Sequence, residues 1–229
     1  MTPPDTFSNI AAADGMSAFT LGVAASTYTA INVPYGGYSC LAVAAYNIAG
    51  ASTYSPWVCG QVVPLTPFNP HMTSATTNSV GFAWNNYDAM SYIAATNGPM
   101  GFALGQNAMT YMATGISPGF YSCISVAAYN ATYASPFSSW TCGFAMPAAP
   151  SGVHKLSSTM TSVTYVWNNQ DPYSGIAATI GGPLFAVGFN ATTYTQTGMT
   201  PGSWSCINLA AYNSSGASGY TGWACGQAV

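Results

Sequence analysis

The sequence predicts an all-β protein made of repeated β-sandwiches, and two observations lead to this fold class. First, the six cysteines recur at one constant interval, as two series: Cys40, Cys123, Cys206 and Cys59, Cys142, Cys225. A fixed period indicates one structural unit that is used repeatedly. Second, the last unit divides into short segments with strand patterns and has no long segment of helical periodicity. About seven short strands in a unit of this length are typical of a β-sandwich.

The period divides the chain into three units. Counting back from Val229, unit three is 147–229, unit two is 64–146 and unit one is 1–63. Units two and three align without a gap and share about half of their residues, which indicates duplication. Unit one has no counterpart of residues 64–84, so we predict a partial sandwich that lacks its first two strands. Upstream sequence explains this gap better than strands donated by another copy, because units two and three use their own opening strands.

The strands are clearest in unit three. Pro147 and Pro150 open it as an edge strand or linker. The segment SVTYVW (162–167) alternates apolar and polar residues, as expected for a half-buried strand, and NNQDP after it is a turn. Further strands are predicted at residues 176–179, 184–189, 192–197 and 206–211, and a final strand leads through Trp223 to Cys225.

Several of these segments resemble fibronectin type III domains. TTYTQTGMTPGSW (192–204) is similar to a strand–loop–strand passage of that family, and INLAAYNSSGAS (207–218) is similar to the strand and turn that follow. Trp84 and Trp167 match the buried tryptophan of the family's second strand. The resemblance covers units two and three and the second half of unit one. It implies tandem seven-stranded fibronectin type III-like β-sandwiches, although Tyr133 replaces a turn glycine and the family usually lacks disulfides.

The cysteines predict one disulfide in each unit. The two cysteines of a unit have the same spacing in all three units, and a hairpin centred near residues 49 and 50 places Cys40 opposite Cys59. Each unit offers too few ligands for a zinc site, and no C-x-x-C motif indicates redox catalysis. Structural disulfides imply an oxidising compartment, so we expect an extracellular or cell-surface protein. The predicted pairs are Cys40–Cys59, Cys123–Cys142 and Cys206–Cys225.

Charged residues are almost absent. They make up 2% of the chain, against about 25% in ordinary soluble proteins. A nucleic-acid partner is excluded because phosphate binding needs clustered Lys and Arg, and the apolar runs are far shorter than the roughly 20 residues of a membrane-spanning helix. A nearly neutral surface resists self-association poorly, so we expect a homopolymer and covalent glycans. The charged residues are Asp5, Asp14, Asp88, Asp171 and Lys155.

Two repeated positions are candidates for acid–base chemistry. Asp5, Asp88 and Asp171 share one position, and His71 and His154 share the other. No nucleophile accompanies them, and an Asp that follows two Asn residues is typical of a turn. We therefore predict a non-enzymatic protein without a catalytic residue, metal site or cofactor.

Two other sets of residues are candidates for surface functions. The sequons predict N-linked glycans at Asn130, Asn190 and Asn213. Asn130 and Asn213 fall at an expected hairpin tip, where exposure is expected, whereas Asn190 is less favoured because it can fall in a strand. One tryptophan recurs near the end of each unit, and we predict packing in the core or between units, with stacking on sugar rings as the alternative. These tryptophans are Trp57, Trp140 and Trp223.

Together these features predict a secreted, non-enzymatic structural protein, a subunit of an extracellular, glycosylated fibre or cell-surface filament. Two other classes stay open. One is a carbohydrate-binding or spacer repeat array of a secreted enzyme. The other is an adhesin or receptor ectodomain that binds protein through its loops.

Overall fold

The computed structural model describes residues 8–229, and in this range the regular structure consists of β-strands alone. The described strands pair antiparallel, and no sheet among them combines strands of two units. Unit one contains β1 (Asn9–Ala13), β2 (Ala18–Val23), β3 (Tyr38–Asn47), β4 (Gly50–Ala51) and β5 (Val58–Gln61). Unit two contains β6 (Phe68–Ala75), β7 (Ser79–Asn85), β8 (Tyr92–Thr96), β9 (Gly101–Gln106), β10 (Thr110–Thr114), β11 (Tyr121–Tyr129) and β12 (Thr141–Phe144). Unit three contains β13 (Ser151–Thr159), β14 (Ser162–Asn168), β15 (Gly175–Thr179), β16 (Phe185–Phe189), β17 (Thr193–Thr197), β18 (Trp204–Asn213), β19 (Gly216–Ala217) and β20 (Ala224–Gln227).

Units two and three are each a sandwich of two sheets. In unit two, the sheet β10-β7-β6 faces the sheet β12-β11-β8-β9. In unit three, β13-β14-β17 faces β16-β15-β18-β19, and β20 pairs with β18. This arrangement confirms the all-β class and the β-sandwiches that the sequence predicts for units two and three.

The core of unit two lies between its sheets. Val80, Phe82 and Trp84 point inward from β7, because alternate residues of a strand face the same side. They pack against Ile93 of β8 and Ile124 of β11, which are fully buried. Unit three repeats this core at the equivalent positions with Val163, Tyr165, Trp167, Ile176 and Ile207.

The two tryptophans predicted to be buried are in the core. Trp84 and Trp167 are each 2% exposed. Their indole Nε1–H groups donate to the carbonyl oxygens of Ala108 and Ala191, each at 2.9 Å. A buried indole N–H needs such a partner, so each tryptophan also ties the second strand to the loop before the fifth.

The described part of unit one has a single sheet in the order β2-β1-β3-β4, with β5 also paired to β3. The sequence predicts that two strands are missing, but a third is absent too, since residues 27–31 form no strand. These residues correspond to β10, which pairs only with β7. The described part of unit one has no counterpart of β7, so residues 27–31 have no strand to pair with.

The last hairpin of each unit also differs from the prediction. In a uniform antiparallel register, the residue numbers of every facing pair have the same sum. Here this sum is 97 at the turn, where Asn47 faces Gly50, but 99 where Cys40 faces Cys59. Two additional residues therefore lie between β4 and β5, and the single uniform register that the sequence predicts is wrong. The strand is interrupted over residues 52–57.

Hydroxyl groups bridge this interruption. Ser52 Oγ accepts a hydrogen bond from the Ala45 N–H (3.0 Å), and Ser55 Oγ accepts one from the Val43 N–H (3.1 Å). The N–H groups of the two serines donate back to the Ala45 and Val43 carbonyl oxygens, each at 2.8 Å. The backbone of β3 thus remains satisfied although no regular strand lies beside it. The equivalent hydroxyls are Ser135, Ser138, Ser218 and Thr221.

Candidate assembly surfaces

The aspartates that are candidates for acid–base chemistry stabilise turns. Asp88 Oδ1 accepts hydrogen bonds from the N–H groups of Met90 (2.9 Å) and Ser91 (2.7 Å). Asp171 Oδ1 accepts one from the N–H of Tyr173 (3.0 Å). These contacts are those of a turn-forming Asp. Asp5 lies outside the described residues.

The histidines also make local contacts. The Nδ1 atom of His71 lies 2.9 Å from the Asn69 carbonyl oxygen, and that of His154 lies 2.7 Å from the Gly152 carbonyl oxygen. Residues 8–229 contain no group of three or more His, Cys, Asp or Glu side chains that is placed to hold a metal ion. The same part of the chain forms no helix of the length and apolarity needed to cross a membrane.

Each unit contains one disulfide, and the cysteines are paired as the sequence predicts. Cys123 of β11 lies directly opposite Cys142 of β12, and the other two pairs occupy the same register. The second cysteine of each pair is exposed, whereas its neighbour Gly143 in unit two is buried. The disulfides therefore lie on the outer face of the sheet and link its last two strands. The pairs are Cys40–Cys59, Cys123–Cys142 and Cys206–Cys225.

The three repeated tryptophans do not pack in the core, so this part of the prediction is wrong. They lie in the loop before the last strand, not on it, and Trp57, Trp140 and Trp223 are 53%, 53% and 54% exposed. Each lies two residues before an exposed disulfide cysteine, and residues two apart in extended chain face the same side. Each unit thus presents one aromatic side chain outward.

The expected exposure of two sequon asparagines is also wrong. Asn130 and Asn213 are half-buried at the ends of β11 and β18. The Asn130 Nδ2 donates to the Val62 carbonyl oxygen at 2.9 Å, and the Asn213 Nδ2 donates to the Ala145 carbonyl oxygen at 2.8 Å. Because an N-linked glycan is attached to Nδ2, these contacts with the preceding unit compete with glycosylation.

The third sequon has the opposite environment. Asn190 lies in an exposed turn after β16, not in a strand. Its Oδ1 accepts a hydrogen bond from Asn169 Nδ2 (3.1 Å), and its own Nδ2 makes no hydrogen bond to the described residues. Thr192, the third residue of this sequon, is also exposed.

Consecutive units meet through the same contact at both junctions. The two asparagine donors, Asn130 and Asn213, occupy equivalent positions of the repeat, as do their acceptors. The side-chain amide is oriented within its own hairpin, because Asn130 Oδ1 accepts the Thr132 N–H (3.0 Å) and Asn213 Oδ1 accepts the Ser215 N–H (2.9 Å). The fixed amide then points its N–H group at the end of the preceding unit.

At each junction, a glycine of the preceding unit lies directly against the Asp side chain that holds a turn in the next unit. Gly36 and Gly119 have φ values of 68° and 76°. A Cβ at Gly119 would overlap the Asp171 carboxylate, and a Cβ at Gly36 would lie 2.6 Å from Asp88 Oδ1. The positive φ and the close approach both require glycine at this position. Asp171 is consequently only 3% exposed.

Aromatic rings also make contacts at each junction. Tyr35 of unit one contacts Tyr87 of unit two, with ring centroids 6.3 Å apart. At the second junction, Phe120 and Tyr121 contact Tyr173 with centroid distances of 5.2 Å and 6.1 Å. The polar contacts of the two junctions are thus equivalent, while the aromatic contacts use different positions.

Unit one leaves part of the inner face of its sheet open, although Ile10 and Ala12 on this face are buried. Leu41 and Val43 are partly exposed, whereas their counterparts in unit two, Ile124 and Val126, are fully buried. Two open grooves with volumes of about 420 Å³ and 720 Å³ share this face, and Tyr28 lines both. In units two and three the second sheet covers the corresponding surface.

Comparisons with known proteins give structural similarity alone. No protein-family model matches the chain, and no curated protein sequence matches it. The chain is similar to a two fibronectin type III domain segment of chicken tenascin, with a TM-score of 0.45 and 14% identity over 70% of this chain and 98% of that chain. It is also similar to the FN1–FN3 domains of chicken CNTN1, with a TM-score of 0.39 and 12% identity over 97% of this chain and 89% of that chain.

Proposed function

We propose that this chain is a non-enzymatic structural subunit of an extracellular fibre or cell-surface filament that is built from copies of itself. The repetition of one structural unit is the observation that carries the proposal, since units two and three are sandwiches with equivalent cores. A surface of unit two that contacts another copy is therefore presented again by unit three. Repeated contacts of this kind build filaments when they do not close a ring.

Charge and redox chemistry support this role. With five charged side chains in 229 residues, little electrostatic repulsion keeps two copies apart. The three disulfides suit an oxidising compartment such as the extracellular space. Covalent sugar adds polar surface to such a chain, and Asn190 is the sequon asparagine whose environment favours it.

Light scattering and negative-stain microscopy of the purified chain test the proposal. We expect filaments or large oligomers at physiological salt, and we expect them to persist in 1 M salt because contacts without charge are barely screened. A monodisperse monomer at both salt concentrations and at high protein concentration would contradict the proposal.

A carbohydrate-binding array is the second candidate, and the exposed tryptophans favour it. Trp57, Trp140 and Trp223 recur once per unit with half of each side chain free, and sugar rings stack on such surfaces. Titration with soluble oligosaccharides, followed by tryptophan fluorescence, tests this function. A saturable change that is lost when Trp57, Trp140 and Trp223 are all replaced by Ala would favour the array, whereas no response to any sugar would leave the fibre as the better explanation.

A further inference from the structure

Gly175 opens a recess between two aromatic rings at the second junction. Tyr212, Gly175 and Phe189 lie directly opposite one another on the adjacent strands β18, β15 and β16. Directly opposite residues of neighbouring strands face the same side of a sheet, so the glycine contributes no side chain between the two rings. The recess that results has a volume of about 490 Å³.

Unit two fills the same position. Its equivalent row consists of Tyr129, Tyr92 and Gln106, and Tyr92 packs on Tyr129 with ring centroids 5.7 Å apart. Glycine in place of Tyr92 and phenylalanine in place of Gln106 therefore distinguish the second junction from the first.

Four aromatic side chains from units two and three line the recess. A Cβ at Gly175 would lie 2.5 Å from Tyr212 Cζ, so the outer end of the Tyr212 ring leans over the glycine. Phe144 of unit two and Tyr173 also line the recess and pack against each other, with ring centroids 6.3 Å apart. Phe189 is 71% exposed, so most of its ring surface is open to a ligand.

Hydroxyl groups are the unpaired polar groups of the recess. Tyr173 Oη, Tyr212 Oη and Ser214 Oγ make no hydrogen bond to residues 8–229. The Tyr212 hydroxyl lies within the recess, 2.7 Å from a Cβ built at Gly175. A purely apolar ligand would separate this hydroxyl from water without giving it a partner, which costs free energy.

Charge selects against a second class of ligand. None of the residues that line the recess is charged. An ionic ligand would therefore lose hydration without gaining a counter-charge. The ligand that suits this recess is neutral, with apolar faces and hydroxyl groups at its edges.

We propose that the recess binds a neutral sugar ring. The C–H face of a pyranose packs on an aromatic ring, while its hydroxyl groups exchange hydrogen bonds with tyrosine and serine hydroxyls. Ligand sites are typically recesses of about 300–1,000 Å³ with aromatic and apolar walls and a few polar groups. The exposed tryptophans are not among the lining residues, and sugar binding here does not depend on fibre formation.

Two sources supply this chemistry. One is an oligosaccharide of another molecule. The other is a glycan of the chain itself, because Asn190 directly follows Phe189 in the chain and its sugar would begin beside the recess.

NMR of the full chain with ¹³C-labelled tyrosine tests the site. The chain is produced in a host without N-glycosylation and is titrated separately with maltohexaose, cellohexaose, mannohexaose and chitohexaose. We expect at least one of these sugars to shift the ring signals of Tyr173 and Tyr212 saturably. The ring signals of Tyr92 and Tyr129, in the filled row of unit two, are expected to stay unchanged.

A double variant closes the recess. Gly175→Tyr combined with Phe189→Gln gives unit three the residues that unit two has in this row, and unit two shows that such a row folds. We expect the dissociation constant of the bound sugar to rise by at least about tenfold. Tyr92→Phe combined with Gln106→Asn is the matched control in unit two and is expected to leave this constant unchanged. If the double variant does not fold, the ring shifts of the wild-type chain decide.

A host with N-glycosylation distinguishes the two sources. Wild-type chain with sugar at Asn190 that no longer responds to the added oligosaccharide, together with Asn190→Gln that does respond, would assign the recess to the chain's own glycan. Equal responses of the two chains would assign it to sugar from another molecule.

Two results would overturn the site. One is the absence of any shift of the Tyr173 and Tyr212 rings with all four oligosaccharides. The other is a sugar response that survives in the folded double variant. Filament formation is measured separately by light scattering and microscopy, so either result leaves the fibre proposal standing.

Discussion

Three asparagines of this chain lie in N-x-S/T sequons, but their surroundings differ. Asn130 and Asn213 use Nδ2 to bind the carbonyl oxygen of a residue in the preceding unit. Asn190 is exposed, and its Nδ2 makes no hydrogen bond to the described residues. A sequon reports only on local sequence, whereas access to Nδ2 depends on contacts with a neighbouring unit.

We predict that Asn190 is the preferred glycosylation site. Expression in a host with N-glycosylation, followed by glycopeptide mapping, is expected to show sugar at Asn190 and lower occupancy at Asn130 and Asn213, since their Nδ2 atoms are engaged. Asn190→Gln is the control that removes this glycan. Full occupancy at Asn130 together with an unmodified Asn190 would contradict the prediction.

A buried hydroxyl distinguishes the two complete cores. Tyr165 Oη donates to the Ser205 carbonyl oxygen at 2.7 Å, while unit two has Phe82 at the equivalent position. We predict that Tyr165→Phe lowers the free energy of unfolding of unit three by about 1–2 kcal/mol, because a buried acceptor loses its donor. Denaturant-dependent hydrogen exchange of β14 measures this. Tyr194→Phe is the control, with an expected change of about 0.5 kcal/mol or less, and equal effects of the two variants would argue against the hydrogen bond.

The interrupted last strand of each unit depends on hydroxyl groups. Ser138 Oγ accepts the Val126 N–H at 3.1 Å, and Ser135 Oγ accepts the Ala128 N–H at 3.0 Å. The repeated S-x-x-S or S-x-x-T pattern is the signal in the sequence for this arrangement. Sequence reasoning missed it because it treated the last strand as one continuous ladder.

We predict that Ser138→Ala destabilises unit two by about 1–2 kcal/mol, because the buried Val126 N–H loses an acceptor. Ser139→Ala alters an exposed neighbour and is expected to change stability by about 0.5 kcal/mol or less. Chemical unfolding of the full chain, followed by exchange of β11 peptides, compares the two. Equal free energies of unfolding for the two variants would contradict the prediction, because water would then replace the Ser138 hydroxyl without loss of stability.

The incomplete unit makes a prediction about the entire chain. When residues 64–84 are placed before Thr2 in place of Met1, the added strands are expected to cover the open face of unit one and to pair with residues 27–31. Amide exchange of residues 27–31 is then expected to slow by at least about tenfold, which corresponds to about 1.4 kcal/mol of local stabilisation.

The control for this graft carries Ser in place of the added residues that correspond to Phe82 and Trp84. It keeps the added backbone but loses the large apolar side chains that cover the sheet. Hydrogen exchange with mass spectrometry distinguishes the two chains. Equal protection of residues 27–31 in both would show that apolar burial does not drive completion of the sandwich.

The period, the all-β class, the disulfide pairs and the buried Trp84 and Trp167 all follow from the order of residues along the chain. They depend on short-range signals, namely cysteine spacing and the alternation of apolar side chains, which the packed fold preserves. The open face of unit one also follows in part, because the alignment shows that residues 64–84 have no counterpart there.

Other features depend on groups that are distant in sequence. Asn130 and the Val62 carbonyl oxygen are 68 residues apart, and the sequence contains no local sign that they meet. Residues 27–31 keep the strand-like composition of β10 but form no strand, since pairing needs a neighbour as well as propensity. Trp57 is exposed because it lies two residues before Cys59 and faces the same outward side as this exposed cysteine. Burial and hydrogen bonding are properties of pairs of groups, so they are known only when the tertiary structure brings both members together.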